Sequence, residues 1–145
     1  MRMTGGLISK MSIRINVPNY TRFYLNFSPI GPLNDYQYDS KAFLFSLVNK
    51  PGWAPVKLPQ SGKYSHARAH SIHGGSSFGP LFGGGHDLYI SNYASSNSHS
   101  FNNLGYTYSP PSGYSLYSTF ARTFLAGSYY FTPDEVETFY ETNKK

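Results

Sequence analysis

The stretch Ala42-Phe43-Leu44-Phe45-Ser46-Leu47-Val48 is the strongest apolar run in the chain. It is short, rich in Phe and closed by Asn49-Lys50-Pro51-Gly52. A short apolar run bounded by turn residues reads as a strand buried on both faces. Pro51-Gly52 suits the centre of a type II turn, Pro fixing the first φ and Gly supplying the positive φ that follows. Just beyond, Trp53, Val56 and Leu58 lie among Pro51, Pro55 and Pro59. Prolines at that spacing remove donors and clash with the preceding turn, so no helix forms there.

Upstream, Ile13, Ile15 and Val17 alternate with Arg14 and Asn16, and Phe23, Leu25 and Phe27 alternate likewise. Period two is the pattern of a half-buried strand. Ser28-Pro29-Ile30-Gly31-Pro32 then breaks the chain and reads as a boundary. Downstream, Leu88-Tyr89-Ile90, Leu104–Tyr108 and Tyr114–Phe120 are short apolar and aromatic segments among Ser, Asn, Gly and Pro. Segments at intervals of about 8–12 residues suggest a sandwich or barrel. At the C-terminal end, Thr132-Pro133-Asp134-Glu135 has the form of a helix cap. Val136, Thr138 and Tyr140 alternate with Glu135, Glu137 and Glu141, however, and β-branched and aromatic residues favour a strand. The reading is a strand, and the fold class is mainly β.

Composition bounds the function. The chain has 145 residues, 13% charged and 18% aromatic, with no Cys. Leu, Ile, Val and Phe make up about 22%, enough for a core whose bulk is aromatic. Without Cys there is no disulfide framework, thiolate metal site or thiol nucleophile. No apolar run approaches the roughly 18 residues of a membrane helix. No secretory signal is read after Met1, so the expectation is a cytoplasmic protein without a membrane span. The net charge is +5, and +4 of it comes from Arg2, Lys10, Arg14 and Arg22 in residues 1–33. These bases never cluster, and between residues 64 and 143 only Arg68 and Arg122 are basic. That leaves no groove for nucleic acid. From Leu88 to Ala121 there is no Lys, Arg, Asp or Glu at all. This tract also admits a structural or matrix protein of prion-like polar and aromatic composition.

Candidate chemistry is sparse. Gly75-Ser76-Ser77-Phe78-Gly79 matches G-x-S-x-G, which would make Ser77 a hydrolase nucleophile. The elbow needs a helix after the serine, and Pro80 and Gly83-Gly84-Gly85 follow instead. His66, His70, His73 and His86, with Asp87, are metal-ligand types, but nothing in the sequence supplies a ligand geometry, and no metal or other cofactor is expected. The glycine triplet belongs to no phosphate-loop pattern and reads as a tight backbone passage. Nothing in the sequence places two of the few acids together as a catalytic pair, and one of Asp87, Asp134, Glu135 and Glu137 reads as a partner of Arg122. No catalytic residue is assigned.

Taken together, Ala42–Leu47, then Phe78-Gly79-Pro80-Leu81-Phe82-Gly83-Gly84-Gly85-His86-Asp87-Leu88, then Phe131–Tyr140 with Glu135-Val136-Glu137, resemble the TLDc domain of the oxidation-resistance type, in a cnidarian-like form. The resemblance covers about residues 34–145, the C-terminal part of such a domain. It implies an antiparallel β-sandwich of two sheets that lacks its N-terminal strands, behind an unrelated basic segment, residues 1–33. It makes Phe43, Phe45 and Leu47 core strand residues. Gly79, Pro80 and Gly83–Gly85 become the tight connection into a strand at Asp87–Ile90, and Val136, Glu137 and Phe139 fall on the closing strand. It implies a non-catalytic protein-interaction module, linked to oxidative-stress resistance, whose partners include vacuolar proton-pump subunits.

Overall fold

A computed structural model of the chain describes residues 2–3, 6–17, 21–27, 35–49, 51–60, 70–74 and 79–142. It is mainly β, with two antiparallel sheets of six strands each. The first sheet contains β1 (Arg2–Met3), β2 (Gly6–Val17), β3 (Thr21–Phe27), β5 (Phe43–Val48), β6 (Val56–Leu58) and β12 (Glu135–Thr142). The second contains β4 (Asp35–Gln37), β7 (Ile72–Gly74), β8 (Leu81–Phe82), β9 (Leu88–Tyr89), β10 (Ser100–Asn102) and β11 (Tyr130–Phe131), in the order β11-β10-β9-β8-β7-β4.

β2 is the spine of the first sheet. Residues 11–16 pair with β3 on one edge and with β12 on the other. The alternation read at Ile13 and Ile15 is realised: both side chains are buried, while Arg14 and Asn16 face outward and are half-buried. Phe23 and Leu25 of β3 are fully buried beside them. The described part of residues 1–33 is therefore not an appendage to the domain, because it supplies three strands and four core side chains. Two of its bases, Arg14 and Arg22, are engaged within the sheet. Arg14 is ion-paired with Glu137 directly across β2 and β12, and its guanidinium also lies 5.2 Å from the centre of the Phe139 ring. Arg22 Nε donates to Asn16 Oδ1 at 2.7 Å.

β5 forms where the apolar run predicts it, but only one face is buried. Leu44 and Ser46 are at 0% exposure, whereas Phe43, Phe45 and Leu47 are half-buried on the outer side. The expected core residues are thus the outward set. Phe43 carries Lys57 Nζ 4.2 Å above its ring, the packing of a surface aromatic. At the following turn Gly52 takes φ +76° and donates to Asn49 O at 3.0 Å, so the hydrogen-bonded turn spans 49–52, one residue earlier than expected. The C-terminal segment is a strand, β12, and Val136, Phe139 and Tyr140 on it are exposed.

The sheets pack face to face through one core. Phe23 of β3 meets Phe131 of β11 edge-on, with ring centres 5.9 Å apart. Ile13, Ile15, Leu25 and Leu44 from one sheet join Ile72, Phe82 and Leu88 from the other. Leu104, Tyr108, Phe124 and Leu125 close the end of this core. The expected strand at 114–120 does not form. A five-residue helix, α1 (Thr119–Thr123), stands at its end, capped by Ser118 Oγ accepting from the Ala121 amide at 3.1 Å. Leu104–Tyr108 contributes only an isolated bridge, from Tyr108 to Gln60.

Candidate functional site

The glycine triplet and Asp87 make one structural unit. Gly83 takes φ +88°, and a side chain there would collide with Asp87. A side chain at Gly84 would run into the Tyr106 ring, and one at Gly79 into the Ile90 carbonyl oxygen. Glycine is required because backbone and ring approach where a Cβ would sit. Pro80 O accepts from the Ile90 amide at 2.9 Å, so Gly79 and Pro80 lead into β8 and lie beside the end of β9, while the connection between the two strands is residues 83–87.

The passage wraps the Asp87 carboxylate, which is at 0% exposure. Asp87 Oδ2 accepts from the amides of Thr107 at 2.8 Å and Tyr108 at 2.6 Å. Burial pushes its pKa up to about 7, against the pull of the Tyr108, Thr107, Tyr106 and Gly105 amides. Desolvation outweighs the hydrogen bonds here. Tyr108, in turn, donates its hydroxyl to Ser71 O at 2.9 Å. Ser71 Oγ donates to Gln60 Oε1 at 2.9 Å, and Gln60 Nε2 donates to Asp39 O at 2.6 Å. Burial raises the Tyr108 hydroxyl well above its ordinary pKa. Asp87 anchors this chain of bonds and has no route to a substrate. It is not paired with Arg122, whose Nε donates to Asn103 Oδ1 at 3.0 Å. Glu137 pairs with Arg14, and Glu135 Oε2 accepts from Asn16 at 2.8 Å.

Three of the described histidines, His70, His73 and His86, make ring contacts. His70 and His73 both pack edge-on against Tyr36, with ring centres 4.6 and 4.8 Å apart, and His86 tilts over Phe101 at 6.2 Å. Among the described residues no group of three His, Cys, Asp or Glu is arranged to hold a metal. His66 and Ser77 lie outside the described residues.

The feature that sequence reasoning missed is on the outer face of the second sheet. Register places Tyr36 opposite His73, His73 opposite Leu81, Leu81 opposite Tyr89, Tyr89 opposite Phe101 and Phe101 opposite Tyr130. One row of outward residues thus crosses all six strands. Its neighbours on the other face, Ile72, Phe82 and Leu88, are buried core. Leu81 is buried, while Tyr36, His73, Tyr89 and Phe101 rise half-buried on either side. The result is a cleft of about 440 Å³ lined by Tyr36, His73, Leu81, His86, Tyr89 and Phe101. Tyr129 stacks on Phe101 at 5.5 Å, Tyr130 meets it edge-on at 6.1 Å, and Arg122 lies over Tyr129 at 5.6 Å. Burial and the nearby Asp87 charge raise the Tyr36 hydroxyl pKa, which keeps it protonated. No sequence signal marks this row, because each member comes from a different strand.

No helix among the described residues is long and apolar enough to cross a membrane. Compared with known proteins, the chain matches no family model, no curated protein and no solved structure.

Proposed function

We propose that the protein is a non-catalytic interaction module of the TLDc type, acting in the cytoplasm, which recognises a protein partner through the outer face of its second sheet. The aromatic row carries the reading. Half-exposed aromatic side chains grouped around a buried floor are what binding surfaces share, since they offer large contact area at small entropic cost. Asp87, whose carboxyl group is held near neutral pKa, is sealed inside the fold. The motif resemblance points to vacuolar proton-pump subunits as partners and to oxidative-stress resistance as the setting.

Affinity capture with the folded full chain tests this, with Tyr89→Ala as the comparison bait. The reading expects proton-pump subunits to be enriched on the unaltered bait and depleted on the variant. Equal recovery on both baits, or no enrichment on a bait shown to be folded, would count against it.

A further inference from the structure

A second cleft lies where β6, at the edge of the first sheet, meets the turn that follows β4. Its volume is about 460 Å³, and Tyr38, Lys41, Phe43, Lys57 and Pro59 are in its lining. Both lysines have a fixed base. In the turn, Ala42 N donates to Asp39 O at 3.1 Å and the Lys41 amide donates to Asp39 Oδ1 at 2.9 Å. Gln60 Nε2 clamps the same turn, donating to Asp39 O at 2.6 Å and to Ala42 O at 3.1 Å. Lys57 is anchored on β6, and its ammonium rests over the Phe43 ring.

Lys41 and Lys57 are exposed, and among the described residues neither is ion-paired. The chain holds seven acids, and all seven are described, so no other side chain brings a negative charge to the cleft. Glu135, Glu137 and Glu141 lie on β12, four strand spacings from β6 or about 19 Å, and Asp134 immediately precedes them. Asp87 is enclosed in the core, and Asp35 Oδ1 accepts from the Tyr36 amide at 2.7 Å. Asp39 belongs to the turn itself. It is buried, caps the Lys41 amide, and its charge bears on Tyr108 in the core. The cleft therefore shows solvent two positive charges.

Those charges set the class of ligand. An ammonium group only donates, and it acts as a point charge, the form in which lysine binds phosphate. Two of them balance a dianion. A phosphomonoester carries a charge of about −1.5 to −2 at neutral pH, whereas a carboxylate or a sulfate ester carries a single charge. Beside the lysines, Tyr38, Phe43 and Pro59 offer flat apolar surface to whatever bears the phosphate. The volume is that of a small-molecule site.

We propose that this cleft binds a phosphomonoester, with Lys41 and Lys57 on the phosphate and the organic part against Tyr38, Phe43 and Pro59. The site lies apart from the aromatic row of the second sheet and does not depend on the interaction-module reading. A free ester and a phosphorylated side chain present the same group.

Isothermal titration of the full chain with phenyl phosphate is the test, with phenyl sulfate as a singly charged analogue of similar shape. The expected result is saturable binding of phenyl phosphate with a Kd of about 1 mM or tighter, at least about fivefold tighter than phenyl sulfate. Lys41→Met and Lys57→Met each weaken it about fivefold or more, and Lys57→Arg leaves it within about threefold. Arg22→Gln removes the same charge from β3 of the same sheet and leaves binding unchanged. Both lysines are exposed, so their variants keep the fold. Tighter binding of a phosphotyrosine peptide than of phenyl phosphate assigns the phosphorylated side chain as the source, and equal affinity assigns the free ester. No saturation by folded protein up to about 10 mM phenyl phosphate overturns the proposal. Equal affinity for phenyl sulfate overturns it too, as does binding that both methionine variants retain or that Arg22→Gln weakens as much as they do.

Discussion

Asp87 accepts from the Thr107 and Tyr108 amides and is still reluctant to ionise. The folded state keeps its proton up to about pH 7, whereas the unfolded chain releases it near 3.8. Between those values the unfolded state binds fewer protons, so stability falls as pH rises and levels off above about 7. Over that window the penalty is on the order of 4 kcal/mol. Urea unfolding across the range should show the decline, and Asp87→Asn should flatten it whatever its absolute stability. An identical slope in the variant would assign the effect to another group. At this scale the sequence was informative about backbone and poor about charge. Gly83-Gly84-Gly85 announced a passage too tight for side chains. That Asp87 is the group it encloses depends on the amides of 105–108, some twenty residues away, which no local pattern reveals.

At the scale of elements, the apolar run located β5 and left its facing open. The run itself reads as buried on both faces, and it is the resemblance that makes Phe43, Phe45 and Leu47 core. One residue of register exchanges the two faces of a strand, and here the pairing with β3 turns Leu44 and Ser46 inward. Leu44→Ala should therefore cost about 2–5 kcal/mol, as deletion of a fully buried leucine does. Leu47→Ala, at a half-buried outer position, should cost about 1 kcal/mol or less. Chemical denaturation of both variants decides it; equal losses would mean that both faces are covered. α1 escaped notice for a different reason. Five residues are too few for a 3.6-residue stripe to appear, and the Ser118 cap is one serine among many. β12 was legible because eight residues give an alternation time to repeat.

At the scale of the molecule, what decides the architecture is which strands meet, and that was hidden. The proline break at 28–32 looked like an edge of the domain, yet the chain before it lies mid-sheet. A chain starting at residue 34 loses both neighbours of that seam: β5 loses β3, β12 loses β2, and Phe131 loses Phe23. It should show no cooperative thermal transition and exchange its amide hydrogens rapidly, whereas the full chain melts as one unit. A sharp melt from the shortened chain would restore the proline break as a true boundary. The aromatic row belongs to this scale too. Its six members are scattered from residue 36 to residue 130 and become neighbours only through the register of five strand pairs.

The same seam sets a timetable for biosynthesis. Asn16 and Glu135, which bond across it, are 119 residues apart in the chain. β2, β3 and β5 are all made by residue 48 and can zip together as they leave the ribosome, but the far edge of β2 stays bare until residue 142 has followed. At ordinary elongation rates that wait is about 5–20 seconds. For that interval the nascent chain exposes a long strand edge, which is a template for any neighbouring chain. Slowing translation between residues 48 and 142 should therefore raise the aggregated fraction without altering the stability of the protein that escapes.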